Sequence, residues 1–135
     1  MSGDGATNAT NEAAVAVRKG PLVGPVLGRV VGMLAARAQC PIDRLDDAML
    51  LTDAVAAHAP AHTTDAHVQV VVAADEAGIE LRIGALSRDG AKGLLEDADL
   101  PGVGNVFTRV ADEVDARSAG DGAAELVLRL RFVPA

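Results

Sequence analysis

Three stretches of this chain place an aliphatic side chain at every second position. Val68, Val70 and Val72 make the first, and Ile79, Leu81, Ile83 and Ala85 the second. Leu126, Leu128, Leu130 and Phe132 make the third. Gln69, Glu80, Arg82, Glu125, Arg129 and Arg131 stand between them. Side chains alternate across a strand, so each stretch presents hydrocarbon on one face and polar groups on the other. Strands buried on both faces read as unbroken apolar runs, and these do not. They predict an antiparallel sheet with one covered face and one wet face. Ala74-Asp75-Glu76-Ala77-Gly78 joins the first two as a hairpin connection.

A sheet with one apolar face needs a second layer. From about Leu22 to Ala38 the spacing is helical, with Val23, Val26, Leu27, Val30, Val31 and Leu34 on one face. Pro21 or Pro25 fits the first turn, where a missing N–H costs nothing. A second helix is expected from about Asp43 to Ala59, with acids in its first turn and Pro60 at its end. Gly24, Gly28 and Gly32 recur every four residues on the first helix, at ~1 kcal/mol each relative to Ala. Such a stripe is expected at a close contact, against another helix or the sheet, or in a homodimer.

The remaining elements are less marked. Ala13 to Lys19 is a weak strand and Ala91 to Asp97 a short helical piece. Val103, Val106, Phe107, Val110 and Val114 have helical spacing, and a strand follows near Val114 to Ser118. Gly120-Asp121-Gly122 then turns the chain into the last strand. The expectation is one α/β (α+β) domain over residues 13–135. It is a two-layer sandwich of a mixed, mostly antiparallel sheet with helices on one face. Residues 1–12 contain no Val, Leu, Ile or Phe and are read as a disordered tail.

Composition narrows the function. The chain has 135 residues, 50% of them hydrophobic, but only Phe107 and Phe132 are aromatic. Its 12 basic against 19 acidic residues give a formal charge of −7. Such a surface repels phosphate backbones, and stacking platforms for single strands are missing, so no nucleic acid partner is expected. The longest apolar stretch, Pro21 to Ala38, is interrupted by Arg29 and Arg37, so no membrane span is expected. One cysteine, Cys40, and no secretory pattern at the N-terminus suit a cytoplasmic location.

Few residues suggest chemistry. His58, His62 and His67 lie close together with Asp65, but Pro60 breaks the helical spacing that a zinc pair would use, and no metal site is expected. Cys40 reads as a small buried hydrophobe. Pro101-Gly102-Val103-Gly104 before a helix suits an anion, because glycines admit close approach and a helix start offers unpaired N–H groups. Asp53 is a carboxylate at the edge of an apolar helix face, a general base if partly buried beside a bound water.

In order, these elements resemble the GHKL (Bergerat-fold) ATPases, and among them the compact serine-kinase anti-sigma factors of bacteria. The resemblance spans about Val15 to Phe132. It rests on Leu50-Leu51-Thr52-Asp53-Ala54-Val55 and on Pro101-Gly102-Val103-Gly104 followed by Val110-Ala111-Asp112-Glu113-Val114. It implies a nucleotide pocket between the sheet, the second helix and the glycine loop. The family's catalytic Glu falls at Asp53 and its magnesium-binding Asn at Ala57, which has no oxygen to offer a hard cation. The family's adenine-binding Asp-x-Gly-x-Gly is approximated by Arg88-Asp89-Gly90-Ala91-Lys92-Gly93, with Asp89 displaced and the glycines misspaced. Gly102 and Gly104 alone match. The resemblance therefore implies a degenerate regulator with weak or no ATP binding and doubtful magnesium. Its partner would be a sigma factor or an anti-sigma-factor antagonist. The alternatives are a working serine kinase with Asp53 as base and a small self-associating module without nucleotide.

Overall fold

β1 (Asn11–Arg18), β2 (His67–Ala74), β3 (Gly78–Leu86), β7 (Ala123–Arg131) and β6 (Glu113–Gly120) hydrogen-bond in that spatial order. The computed structural model describes residues 10–133. All four pairings are antiparallel, so the two-layer sandwich has the expected mostly antiparallel sheet and no parallel pair among the described strands. Residues 1–9 of the expected tail lie outside the described residues, while Asn11 and Glu12 already belong to β1.

Alternation works as read. Val68, Val70, Val72, Ile79, Leu81, Ile83, Leu126, Leu128 and Leu130 all join one core with the helices. The period breaks at Ala85, expected on the buried face. Ala85 takes φ 53° and the β3–β7 register shifts between Ile83 and Leu86, so Leu86 takes the buried place. The Ala85 carbonyl accepts from Thr63 Oγ1 at 3.2 Å, Thr64 Oγ1 at 3.0 Å and Thr64 N at 2.8 Å. Those donors hold a conformation that a non-glycine residue seldom takes.

Helix α1 (Val23–Arg37) buries Val23, Leu27, Val31, Leu34 and Ala35 on the sheet. It closes at Gln39, φ 58°, with Gln39 N donating to Ala36 O and Cys40 N to Ala35 O, a Schellman pattern. Helix α2 (Ile42–His58) then runs back beside it and buries Ala48, Leu51, Thr52 and Val55. Thr52 is the one buried polar residue among those described, and its hydroxyl donates to Ala48 O at 2.7 Å. The glycine stripe is only partly a contact. A Cβ on Gly24 would meet Ala56 at 3.7 Å and one on Gly28 would meet Met49 at 3.3 Å, but Gly32 faces open space. Residues four apart advance about 40° around a helix, so a straight α1 turns its third glycine off the seam.

The second half departs further. Helix α3 (Gly90–Asp97) and a two-residue ladder, β4 (Asp99–Leu100) with β5 (Gly104–Asn105), precede helix α4 (Val106–Val110). The expected helix from Val103 to Val114 is thus cut to five residues. Gly102 and Gly104 take φ of 78° and 99°, so the chain before Val106 is not helical. Beyond it, Asp112 docks on β7: its N–H donates to Arg129 O, and its carboxylate accepts from Arg131 N at 2.6 Å. Asp121 and Gly122, at φ 52° and 76°, form the β6–β7 turn with the two positive angles of a type I′ hairpin.

Candidate functional site

The four residues that the sequence singles out are in different settings. Asp53 is exposed on α2, where it shares an outer stripe with Ile42, Asp46, Leu50 and Ala57. Residues turn by about 100° per step, so that stripe lies opposite the face bearing Ala48, Leu51 and Val55. Asp53 therefore points away from the sheet. Its neighbour a turn on, Ala57, brings no side-chain oxygen, and this donor set does not fit magnesium.

Gly102 and Gly104 flank the tip of the β4–β5 hairpin. Two N–H groups in the first turn of α4 are already taken, since Asn105 Oδ1 accepts from Phe107 N at 3.0 Å and Thr108 N at 3.4 Å. Arg109 Nη1 folds back onto Val103 O. Asn105 Nδ2 also donates to Leu95 O at 2.6 Å, tying this loop to the far end of α3. Asp89 stands at the N-cap of α3, exposed, without a side-chain capping bond. Asp89 and Leu95 are thus separated by most of that helix, about 9 Å along its axis.

The glycines after Asp89 have a packing role. A Cβ on Gly93 would lie 2.6 Å from His62 Cε1, and one on Gly90 would lie 2.9 Å from His62 O. His62 Nε2 is 2.6 Å from Asp97 Oδ2. The histidine ring is thus clamped along α3, seated on Gly93 and bonded to Asp97 one turn later. Of the other histidines, His67 lies 4.0 Å from Asp65 and His58 ends α2. Among the described residues, no group of three His, Cys, Asp or Glu is placed to hold a metal. Cys40 is half-buried, and desolvation, followed by the nearby Asp43, raises its thiol pKa.

Two surfaces stand out instead. The open sheet face carries a lattice of ion pairs across the strands. Arg129 donates to Glu80 at 2.7 Å and to Glu113 at 3.0 Å, and Arg131 donates to Glu113 at 2.7 Å. Arg82 lies within 3.6 Å of Glu12 and 3.7 Å of Glu80. Hydrogen bonds to Glu80 and then Glu113 raise the pKa of Arg129. Val127 sits among these side chains and is buried although it faces away from the helices. At one end the lattice borders an open groove of about 480 Å³, lined by Glu12, Asp75, Glu80, Glu113, Arg129 and Arg131. None of Asp53, Asp89, Gly102 or Gly104 lines it. The signal for the lattice was present as charges two apart at residues 80/82, 113/115/117 and 129/131, but strand partners were needed to connect them.

The second surface is the outside of the α1–α2 hairpin. Of seven exposed large hydrophobics among the described residues, Leu22, Met33, Ile42 and Leu50 lie there, 63%, 59%, 81% and 50% exposed. On α1 the outer stripe is Pro25, Arg29, Met33 and Ala36, continuing from Leu22, with one charge. Clustered exposed hydrocarbon of this kind marks interaction surfaces more than single exposed residues do.

No family model matches the chain, and no curated protein matches it. Among solved structures, it is similar to a chain in the crystal structure of the SiaB-SiaC complex from Pseudomonas aeruginosa. The TM-score is 0.59 at 14% identity, over 88% of this chain and 89% of that one. At that identity the likeness shows a shared fold. No helix among the described residues is long and apolar enough to cross a membrane.

Proposed function

We propose that this chain is a regulatory protein that acts by binding another protein, with ATP binding and phosphotransfer weak or lost. The observation that carries the reading is structural kinship, over nearly the whole of both chains, with a member of a two-protein complex. The nucleotide positions support it from the other side. Asp53 faces solvent, Ala57 has no side-chain ligand atom, and the N–H groups of Phe107 and Thr108 are capped by Asn105. The partner is a sigma factor or an anti-sigma-factor antagonist, as the resemblance to serine-kinase anti-sigma factors implies.

Calorimetric titration with ATP, with and without magnesium, tests the first half. Two anchors are lost, the oxygen ligand at Ala57 and the positioned carboxylate after β3. At ~1.5–3 kcal/mol each, binding weakens about a hundredfold or more, so no saturation is expected at micromolar ATP. Micromolar Mg-ATP binding would replace this reading with the serine-kinase one, Asp53 serving as base. Titration against purified sigma factors and anti-sigma-factor antagonists from the same organism tests the second half. One should bind with a Kd below about 10 µM, and binding by none overturns the partner assignment.

A further inference from the structure

We infer that the groove at the end of the open sheet face takes an arginine side chain of a partner protein, seated over Ala73 between Glu12 and Glu80. This rests on the reading that the chain acts by binding another protein, and it names the chemistry of the contact. The strand register sets five residues in one row across the open face. Glu12 pairs with Ala73, Ala73 with Glu80, Glu80 with Arg129 and Arg129 with Glu113. Adjacent strands are about 4.8 Å apart, so successive glutamates in the row stand about 10 Å apart with one residue between them.

The two intervals differ in what fills them. Between Glu80 and Glu113 stands Arg129, whose Nε donates to Glu80 at 2.7 Å and whose Nη1 donates to Glu113 at 3.0 Å. Between Glu12 and Glu80 stands Ala73, whose methyl group bonds neither. The row thus holds a guanidinium in one interval and presents the same pair of carboxylates in the other. Arg82, one row along the strands, does not close the second interval. It stands 3.6 Å from Glu12 and 3.7 Å from Glu80, outside the range of about 2.7–3.2 Å for an N–H···O bond.

The groove over this interval has the room and the charge. Its volume of about 480 Å³ is that of a small-ligand pocket, and Ala73, Ala77 and Gly78 line it with one methyl group or none. An arginine stem lies along such a surface while its head stays among polar groups. Asp75 stands at the turn end, its Oδ1 accepting from Ala77 N at 2.8 Å and Gly78 N at 3.2 Å. The carboxylates of Glu12, Asp75, Glu80 and Glu113 line the groove against Arg129 and Arg131. Arg82 beside them brings the cations to three against four carboxylates. One guanidinium balances the remainder. Charge of this sign draws a basic segment and turns away an acidic one. A guanidinium fits better than an ammonium because its planar fork reaches two carboxylates at once, as Arg129 does.

Amide NMR of the isotopically labelled full chain tests it, with the capped peptide Gly-Gly-Arg-Gly-Gly as probe. Shifts should centre on Glu12, Ala73 to Gly78 and Glu80, with a Kd on the order of 1 mM. The same peptide with citrulline keeps the shape without the charge and should bind at least about tenfold more weakly. Glu12→Gln should raise the Kd about three- to fivefold. Ala73→Arg supplies the guanidinium from within the chain and should raise the Kd at least about tenfold. Glu12 is exposed and Ala73 lies on the open face, so circular dichroism should show both variants folded. No shifts, or shifts elsewhere, overturn the inference, as does binding that both substitutions leave unchanged. Free arginine binding more than about tenfold tighter than the peptide also overturns it, because the site would then suit a small metabolite. A sigma factor or antagonist that binds this chain should lose affinity on Ala73→Arg, and indifference to it overturns the inference while leaving the partner reading intact. Peptide binding at the groove with no such partner bound overturns the partner assignment alone.

Discussion

The ring of His62 occupies the space where a side chain at Gly93 would stand. Gly93→Ala has two opposed consequences. Alanine favours the helix by ~1 kcal/mol over glycine. Against that, a Cβ 2.6 Å from a ring held by Asp97 forces the clamp open, and overpacking of this kind costs ~1–3 kcal/mol. Gly93→Ala is expected to lower the urea midpoint. In a His62→Ala background the obstruction is gone, and the same substitution should raise it. A Gly93→Ala that destabilises both backgrounds equally would show that the clamp is not the cause. In the sequence these glycines looked like a misspaced nucleotide motif. The position of His62, about thirty residues earlier, accounts for Gly93, and His62 together with Ser87 and Leu86 accounts for Gly90.

At the scale of elements, the helix pair shows how far a spacing rule carries. Both helices were legible within about a residue or two at their ends, because apolar periodicity and the breakers Pro21, Pro41 and Pro60 bound them. The glycine stripe was legible as a contact, but its extent was not, since the seam follows the crossing of two helices. Gly32→Ala meets nothing within 4 Å and should stabilise by up to ~1 kcal/mol. Gly28→Leu enters the space of Met49 and should cost ~1–3 kcal/mol. Thermal melts of the two variants should shift in opposite directions; equal shifts would mean that the seam is elsewhere. The region after Leu100 was the least legible. Val103 to Val114 has helical spacing, yet glycines at positive φ open it and docking of Asp112 on β7 closes it.

For the molecule as a whole, the ion-pair lattice on the open sheet face is extensive but solvent-exposed. Arg129→Met removes its centre and keeps a hydrocarbon stem two residues from Val127 on the same sheet face. Exposed pairs contribute ~0–1 kcal/mol, so the denaturant midpoint should move little, and less in high salt. A loss well above that range would mean that something excludes water from this face. The chain by itself determined the architecture. Period-two hydrocarbon with polar residues between requires one wet sheet face, and two amphipathic helices supply the cover for the other. It also carried the absence of a magnesium ligand at Ala57, which is a matter of residue type alone. The direction of each carboxylate and the occupancy of each N–H were decided by tertiary structure. Asp53 faces solvent because α2 commits its opposite face to the core. The glycine loop offers no N–H at Phe107 or Thr108 because Asn105 takes both while gripping α3. Such outcomes depend on contacts between residues far apart in the chain, and local spacing holds no record of them.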